Sequence, residues 1–138
     1  MLLSQTGEYA LRAVLYLAAH GTDRAVQVAE MARALDLPQN YLSKTLHQLA
    51  RAGVLASTRG KSGGFRLAVA PDRLALARIV APFGDIEDRR RCLLGRATCS
   101  DRTACAAHTR WKEVAEKLST FFRETTVADL QQGATLPA

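Results

Sequence analysis

Between Asp36 and Asp72 the chain holds no acidic residue, yet it keeps the periodicity of a folded unit. That interval carries Lys44, Arg51, Arg59, Lys61 and Arg66, with His47 among them. A solvated face ordinarily mixes both signs of charge, so a folded segment without carboxylates points to a polyanion partner. Residues 38–52 within it read as a helix. Leu42, Leu46 and Leu49 recur at four- and three-residue steps and form a stripe to bury. Asn40, Ser43, Lys44, His47 and Arg51 gather on another face, and each can bond a phosphate or a base edge. Pro38 suits the helix start, and Gly53 suits the left-handed residue that ends it.

The flanking segments complete a pattern. Residues 4–19 read as a helix on Leu11, Val14, Leu15 and Ala18, with Ser4 or Thr6 able to cap it. A short second helix shows Val28, Met31, Ala32 and Leu35 on one face, and Asp36-Leu37-Pro38 is a tight connection. Beyond Gly53 come two extended runs, 54–58 and 65–69, the second with Phe65, Leu67 and Val69 inward. Between them Arg59-Gly60-Lys61-Ser62-Gly63-Gly64 reads as a flexible, basic hairpin tip. Short helix, tight turn, polar-faced helix and basic hairpin together predict a winged helix-turn-helix over residues 1–81. Such a unit lays its second helix in the major groove of double-stranded DNA, and a basic wing reaches the backbone or minor groove. The expected DNA-binding residues are Asn40, Ser43, Lys44, His47, Arg51, Arg59 and Lys61.

The second half is less regular. Residues 72–81 read as a fourth helix on Leu74, Leu76, Ile79 and Val80, stopped by Pro82 and Gly84. Residues 82–108 form a polar, cysteine-containing loop. From Ser100 or Asp101 a long helix is predicted to run to Leu130, with Trp111, Val114, Ala115, Leu118, Phe121 and Phe122 at helical spacing. Some 30 residues make a rod of roughly 45 Å, longer than one small domain can cover. Residues 109–138 are therefore assigned to a dimerisation helix and tail, with Trp111, Val114, Leu118, Phe121 and Phe122 at the seam. A homodimer suits a two-fold symmetric operator. The fold class is mainly α, with a two-stranded wing.

All three cysteines, Cys92, Cys99 and Cys105, fall within fourteen residues, and His108 follows. Gaps of six and five residues do not match the paired spacing of structural zinc. Arg89, Arg90, Arg91 and Arg96 favour thiolates nearby. Thiolates with one imidazole suit an iron–sulfur cluster, and the same lowered thiol pKa suits direct oxidation. A small redox enzyme is the weakest reading: there is no Cys-x-x-Cys pair, no nucleotide-binding glycine motif and no general base near the thiols. The chain has 138 residues, enough for one domain, and a formal charge of +6. No apolar run approaches the roughly 18 residues of a membrane span, and no signal-peptide pattern opens the chain. Three cysteines cannot pair off completely, so an intracellular, cytoplasmic setting is expected and no membrane partner.

Several motifs are also recognisable together. Gly7-Glu8-Tyr9-Ala10, Tyr41-Leu42, Ala52-Gly53-Val54, the glycine-rich wing through Phe65, the three cysteines, Cys105-Ala106-Ala107-His108 with Trp111, and Thr126-Val127-Ala128-Asp129-Leu130 resemble the Rrf-two family, with its IscR, NsrR and RirA types. The resemblance spans about residues 1–131. It implies a homodimeric winged-helix transcription factor, usually a repressor, whose operator affinity an iron–sulfur cluster tunes in response to redox, nitric oxide or iron status. Cys92, Cys99 and Cys105 match the cluster cysteines, and His108 matches the imidazole ligand of IscR-type 2Fe–2S sites, so 2Fe–2S is favoured over 4Fe–4S. The rival fourth ligand is Glu8 of the partner subunit, as in NsrR-like relatives. Two departures stand out. One more residue separates Cys92 from Cys99 than in IscR types, and Ser43 replaces an acidic residue. A cluster-free thiol switch is the alternative reading.

Overall fold

A computed structural model describes residues 2–21, 23–84, 92–96 and 100–131. The first helix, α1 (Gln5–His20), starts where the Ser4 hydroxyl oxygen accepts from the Gly7 N–H at 3.1 Å. The same hydroxyl donates to the Phe83 carbonyl at 3.1 Å, which ties the helix start to a distant turn. Along one face Ala10, Ala13, Val14, Leu17 and Ala18 are buried. Next comes α2 (Val28–Leu35), with Met31 and Ala32 buried. It ends on Asp36 at φ 54, and Arg12 of α1 donates to the Leu35 carbonyl at 2.7 Å. Two orphan carbonyls are thus satisfied at the turn, since the Leu37 N–H also reaches Ala32 at 2.9 Å.

The predicted DNA-reading helix is α3 (Gln39–Arg51), one residue shorter at each end than expected. Leu42, Leu46 and Leu49 are fully buried, and Thr45 joins them by donating to the Tyr41 carbonyl at 3.1 Å. Gly53 at φ 79 closes the helix, with Gly53 N–H on Ala50 and Val54 N–H on Leu49, the paired bonds of a Schellman end.

The wing is β1 (Leu55–Thr58) and β2 (Gly64–Leu67), antiparallel with Leu55 opposite Leu67 and Thr58 opposite Gly64. Its tip is tighter than a flexible glycine tract. A Cβ on Gly63 would meet the Thr58 carbonyl oxygen at 2.3 Å, and one on Gly64, at φ +143, would meet the Val26 oxygen at 2.3 Å. Val26 and Phe65 exchange both backbone hydrogen bonds, at 2.9 and 2.8 Å, so the segment before α2 pairs with the wing. Gln27 adds a bond to the Lys61 carbonyl at 3.3 Å. These glycines permit close approach of backbones, not motion.

Two helix expectations are corrected in the second half. The helix expected over 72–81 is broken into a 3-10 turn at Pro71–Arg73, α4 (Leu76–Val80) and a second 3-10 turn at Ala81–Phe83. The long helix expected from Ser100 or Asp101 to Leu130 is a 3-10 turn at Asp101–Thr103, then α5 (His108–Glu124) and α6 (Val127–Gln131). One interaction accounts for the late start of α4 and for the break between α5 and α6. Leu74–Leu76 and Thr125–Val127 pair as extended chain, with Leu76 N–H on Thr125 at 3.0 Å and Val127 N–H on Leu74 at 2.9 Å. Thr126 and Asp129 then cap α6 reciprocally, side chain to backbone N–H in both directions. The unbroken rod is thus α5 alone, 17 residues or about 25 Å.

One hydrophobic core collects α1, α2, α3, α4, both strands, Phe122 of α5 and Val127 of α6. Gly64→Ala should destabilise the fold by about 3 kcal/mol or more, because strained φ and two backbone walls act together. Gly60→Ala, at φ +101 with open space around it, should cost about 1 kcal/mol. Urea unfolding midpoints check the contrast, and equal costs would contradict the close approach.

Candidate nucleic-acid interface and cysteine site

The outward face of α3 lines an open groove bounded by Ser43, Lys44, His47, Gln48, Arg51 and Ser57 of β1. Asn40 is exposed one turn before it, and Arg59 and Lys61 are exposed at the wing tip. The seven expected DNA-binding residues therefore lie along α3 and the wing that packs beside it. The helix start is braced: the Tyr41 and Thr6 hydroxyls lie 2.6 Å apart, and the Tyr41 ring meets Tyr9 edge-on at 5.6 Å. Farther along, His47 Nδ1 lies 2.7 Å from the Ser43 carbonyl, and its ring meets Phe65 edge-on at 5.2 Å. The residue-by-residue reading missed Gln48 and Ser57. Gln48 could have been found, since it stands four after Lys44 and three before Arg51. Ser57 could not, because it comes from a strand.

The cysteine site is partly described. Cys92 is buried, and Cys105 is half-buried in the turn leading into α5, where the His108 N–H bonds the Cys105 carbonyl at 3.0 Å. The backbone N–H of Arg96 holds the Cys92 thiol below its ordinary pKa. The Leu94 N–H, a hydrogen bond with Cys105 and the Arg96 charge add to this, and burial opposes them. The structure thus brings Cys92 and Cys105 into contact. Cys99 and Arg89, Arg90 and Arg91 lie outside the described residues.

His108 is the first residue of α5 and is 7% exposed. The helix expected from Ser100 or Asp101 would carry both Cys105 and His108; instead Cys105 precedes α5. His108 Nε2 lies 2.8 Å from Asp101 Oδ1, and the Lys112 ammonium reaches that oxygen at 3.3 Å. The hydrogen bond from His108, then that from Lys112, lowers the Asp101 pKa. Asp101 was not singled out from sequence, because a turn rather than a helical step separates it from His108. Glu8 is exposed in the first turn of α1. Among the described residues no three His, Cys, Asp or Glu side chains converge as a metal site. The donor chemistry nonetheless fits an iron–sulfur cluster: soft sulfurs meet, and amide N–H groups point at one of them, as cluster sites use to set their potential. It fits a reactive thiol pair equally.

The expected dimer residues divide into two sets. Val114 and Phe121 are exposed, at 54% and 49%, and Trp111 is half-buried beside a shallow apolar hollow with Leu93 and Ala107. Leu118 packs partly against the chain's own core, and Phe122 is buried within it.

Residues 3–133 match the Rrf2 family, described as an iron-dependent transcriptional regulator. A protein of Aquifex aeolicus (strain VF5), named as an HTH-type transcriptional regulator, is 39% identical over 132 residues, covering 94% of this chain and 91% of the relative. The HTH-type transcriptional regulator IscR of Vibrio atlanticus (strain LGP32) is 31% identical over 132 residues, covering 96% and 76%. Among solved structures, CymR, the global cysteine regulator of B. subtilis, superposes with a TM-score of 0.77 at 22% identity, covering 93% of this chain and 94% of that one. The IscR of T. potens gives 0.72 at 24%, covering 96% and 92%. These two structures share the fold. No helix among the described residues is long and apolar enough to cross a membrane.

The order of influences on Cys92 is testable in metal-free protein. Arg96→Ala should leave most of the lowered thiol pKa in place, because the main donor is backbone. Arg96→Pro deletes that N–H and should raise it. Thiolate absorbance against pH reads both, and an equal rise in the two variants would place the cause in the guanidinium.

Proposed function

This chain belongs to the Rrf2 family of transcriptional regulators, and we propose that it acts as a homodimer whose affinity for a two-fold symmetric operator is set by an iron–sulfur cluster. The observation that carries the regulatory part is the meeting of Cys92 and Cys105, with amide N–H groups turned on the Cys92 sulfur. On this reading Cys92, Cys99 and Cys105 hold the cluster, 2Fe–2S in preference to 4Fe–4S, and the protein works in the bacterial cytoplasm as a repressor rather than an enzyme. The cluster, when bound, supplies a redox- and nitric-oxide-sensitive centre responsive to iron supply. His108 serves as the fourth ligand, with Asp101 fixing its ring as carboxylates commonly do for metal-bound imidazoles. Glu8 of the partner subunit is the alternative ligand.

Each part of the chain then has a task. Asn40, Ser43, Lys44, His47 and Arg51 face the major groove, and Arg59 and Lys61 reach backbone or minor groove from the wing. Trp111, Val114 and Phe121 meet the partner, with Leu118 supporting them from the core side. Phe122 shapes the seam only indirectly. A thiol switch is the second reading, and the Cys92–Cys105 contact favours it as well: two adjacent thiols, one with a lowered pKa, are set up for oxidation.

Anaerobic purification with iron and sulfide analysis separates the two. The cluster reading expects about two iron and two sulfide per chain, a visible spectrum, and loss of both in Cys92→Ala, Cys99→Ala or Cys105→Ala. Colourless protein without iron or sulfide, whose DNA binding responds to peroxide, would install the thiol switch instead.

The dimer seam has its own check. Val114→Asp with Phe121→Asp should cost about 3 kcal/mol or more per interface by burying unpaired charge, and should leave the monomer folded because both side chains are exposed. Sedimentation reads the outcome; a double variant that stays dimeric at micromolar concentration moves the seam elsewhere. Leu118 and Phe122 are unsuitable probes, since charge there would disturb the chain's own core.

A further inference from the structure

We propose that His47 determines operator specificity as a hydrogen-bond acceptor, reading an exocyclic amino group, cytosine N4 or adenine N6, in the major groove. The assignment rests on the DNA-binding reading above. His47 is exposed on the outer face of α3, in the groove it shares with Lys44 and Arg51. Its Nδ1 lies 2.7 Å from the Ser43 carbonyl oxygen one turn earlier. A carbonyl oxygen only accepts, so Nδ1 carries a proton, and in the neutral form of the ring that leaves the lone pair on Nε2. With Nδ1 turned back on its own helix, Nε2 lies on the far side of the ring.

The ring is also held in place. It stands edge-on to Phe65 at 87°, and Phe65 is buried and fixed by two backbone bonds to Val26. Lys44, Arg51, Arg59 and Lys61 are long side chains that must be ordered on binding. The His47 ring is oriented beforehand, so little rotamer freedom remains to lose.

Phosphate oxygens are acceptors and repel a lone pair, which points Nε2 away from the backbone and toward bases. In the major groove cytosine N4 and adenine N6 donate, whereas guanine N7 and O6 and thymine O4 accept. Lys44 and Arg51 offer only donors, Ser43, Asn40 and Gln48 offer both, and the interval from Asp36 to Asp72 has no carboxylate. Among the described side chains of this face, His47 is the one that, with its ring neutral and Nδ1 bonded to Ser43, turns an atom outward that can only accept.

Selection of binding sites from a randomised duplex pool with the wild-type chain, followed by affinities for every single base-pair change, tests this. We expect one position per half-site where cytosine or adenine is preferred by about fivefold, the worth of one hydrogen bond. His47→Ala and His47→Phe, the second keeping a ring against Phe65, should both lose that preference and keep the remaining ones and the salt slope. Retention of every preference overturns the assignment. So does a uniform loss of affinity with a shallower salt slope, which marks a phosphate contact. A wild-type chain that selects no sequence overturns the DNA-binding reading itself. Long-range proton–nitrogen NMR of the free protein gives an independent reading: a protonated Nδ1 is expected for His47, and a protonated Nε2 overturns the proposal.

Discussion

The small side chains along α1 set how closely every other element can approach it. Ala10 and Ala13 are fully buried and Ala18 nearly so. Interhelical distance follows the side chains at the contact, so an alanine face draws neighbours in. Helices α2, α3, α4 and α6 and strand β2 all pack on α1. At its start Thr6 and Tyr9 meet Tyr41, which fixes the first turn of α3. Helix α3 is therefore oriented by reference to α1, and on the proposed reading this holds before any DNA arrives. The wing takes its position from the Val26–Phe65 pairing, just beyond the far end of that same helix.

Helix α5 connects the cysteine site to this body. Its first residue, His108, is bound to Asp101 and follows directly on the Cys105 turn. Its last turn carries Phe122 into the core, and Thr125–Val127 bond to the backbone before α4. A stiff 17-residue helix thus joins the two. On the proposed reading, ligand exchange at Cys92 and Cys105 acts on one end of that helix, and α1 bears against structure at the other. The effect on DNA affinity is limited by how differently the loaded and unloaded cysteines hold α5.

The legible parts of the sequence were those governed by local chemistry. The leucine stripe of α3, its polar face and Gly53 all follow from helical periodicity and one left-handed residue. The breaks in the second half were hidden for the opposite reason. Residues 72–81 and 100–130 each carry helical spacing, and the pairing of Leu74–Leu76 with Thr125–Val127 interrupts both. Nothing local announces a partner some fifty residues away. The wing glycines misled in another way: Gly63 and Gly64 signal permissive backbone, but sequence does not say whether freedom or crowding uses it. Phe122 kept the spacing of a seam residue, yet two apolar faces of one helix look alike until the core claims one. At the cysteine site, clustering alone pointed to Cys92 and Cys105, whereas the bond between Asp101 and His108 depends on a 3-10 turn that no motif encodes.

Iron ligation and thiol oxidation draw on the same atoms here. Both require thiolate, and the N–H groups of Arg96 and Leu94 favour thiolate at Cys92 whichever chemistry follows. The two differ in charge: a 2Fe–2S core with three thiolates carries about −1, and a disulfide carries none. A change of one charge is screened within about 8 Å at physiological salt, so it is too weak and too local to govern a groove-length DNA interface. On either proposed reading, control passes through the packing of α5 on α4 and its Phe122 in the shared core. On that proposal the cysteines supply the signal, and the shared core decides how much of it reaches α3.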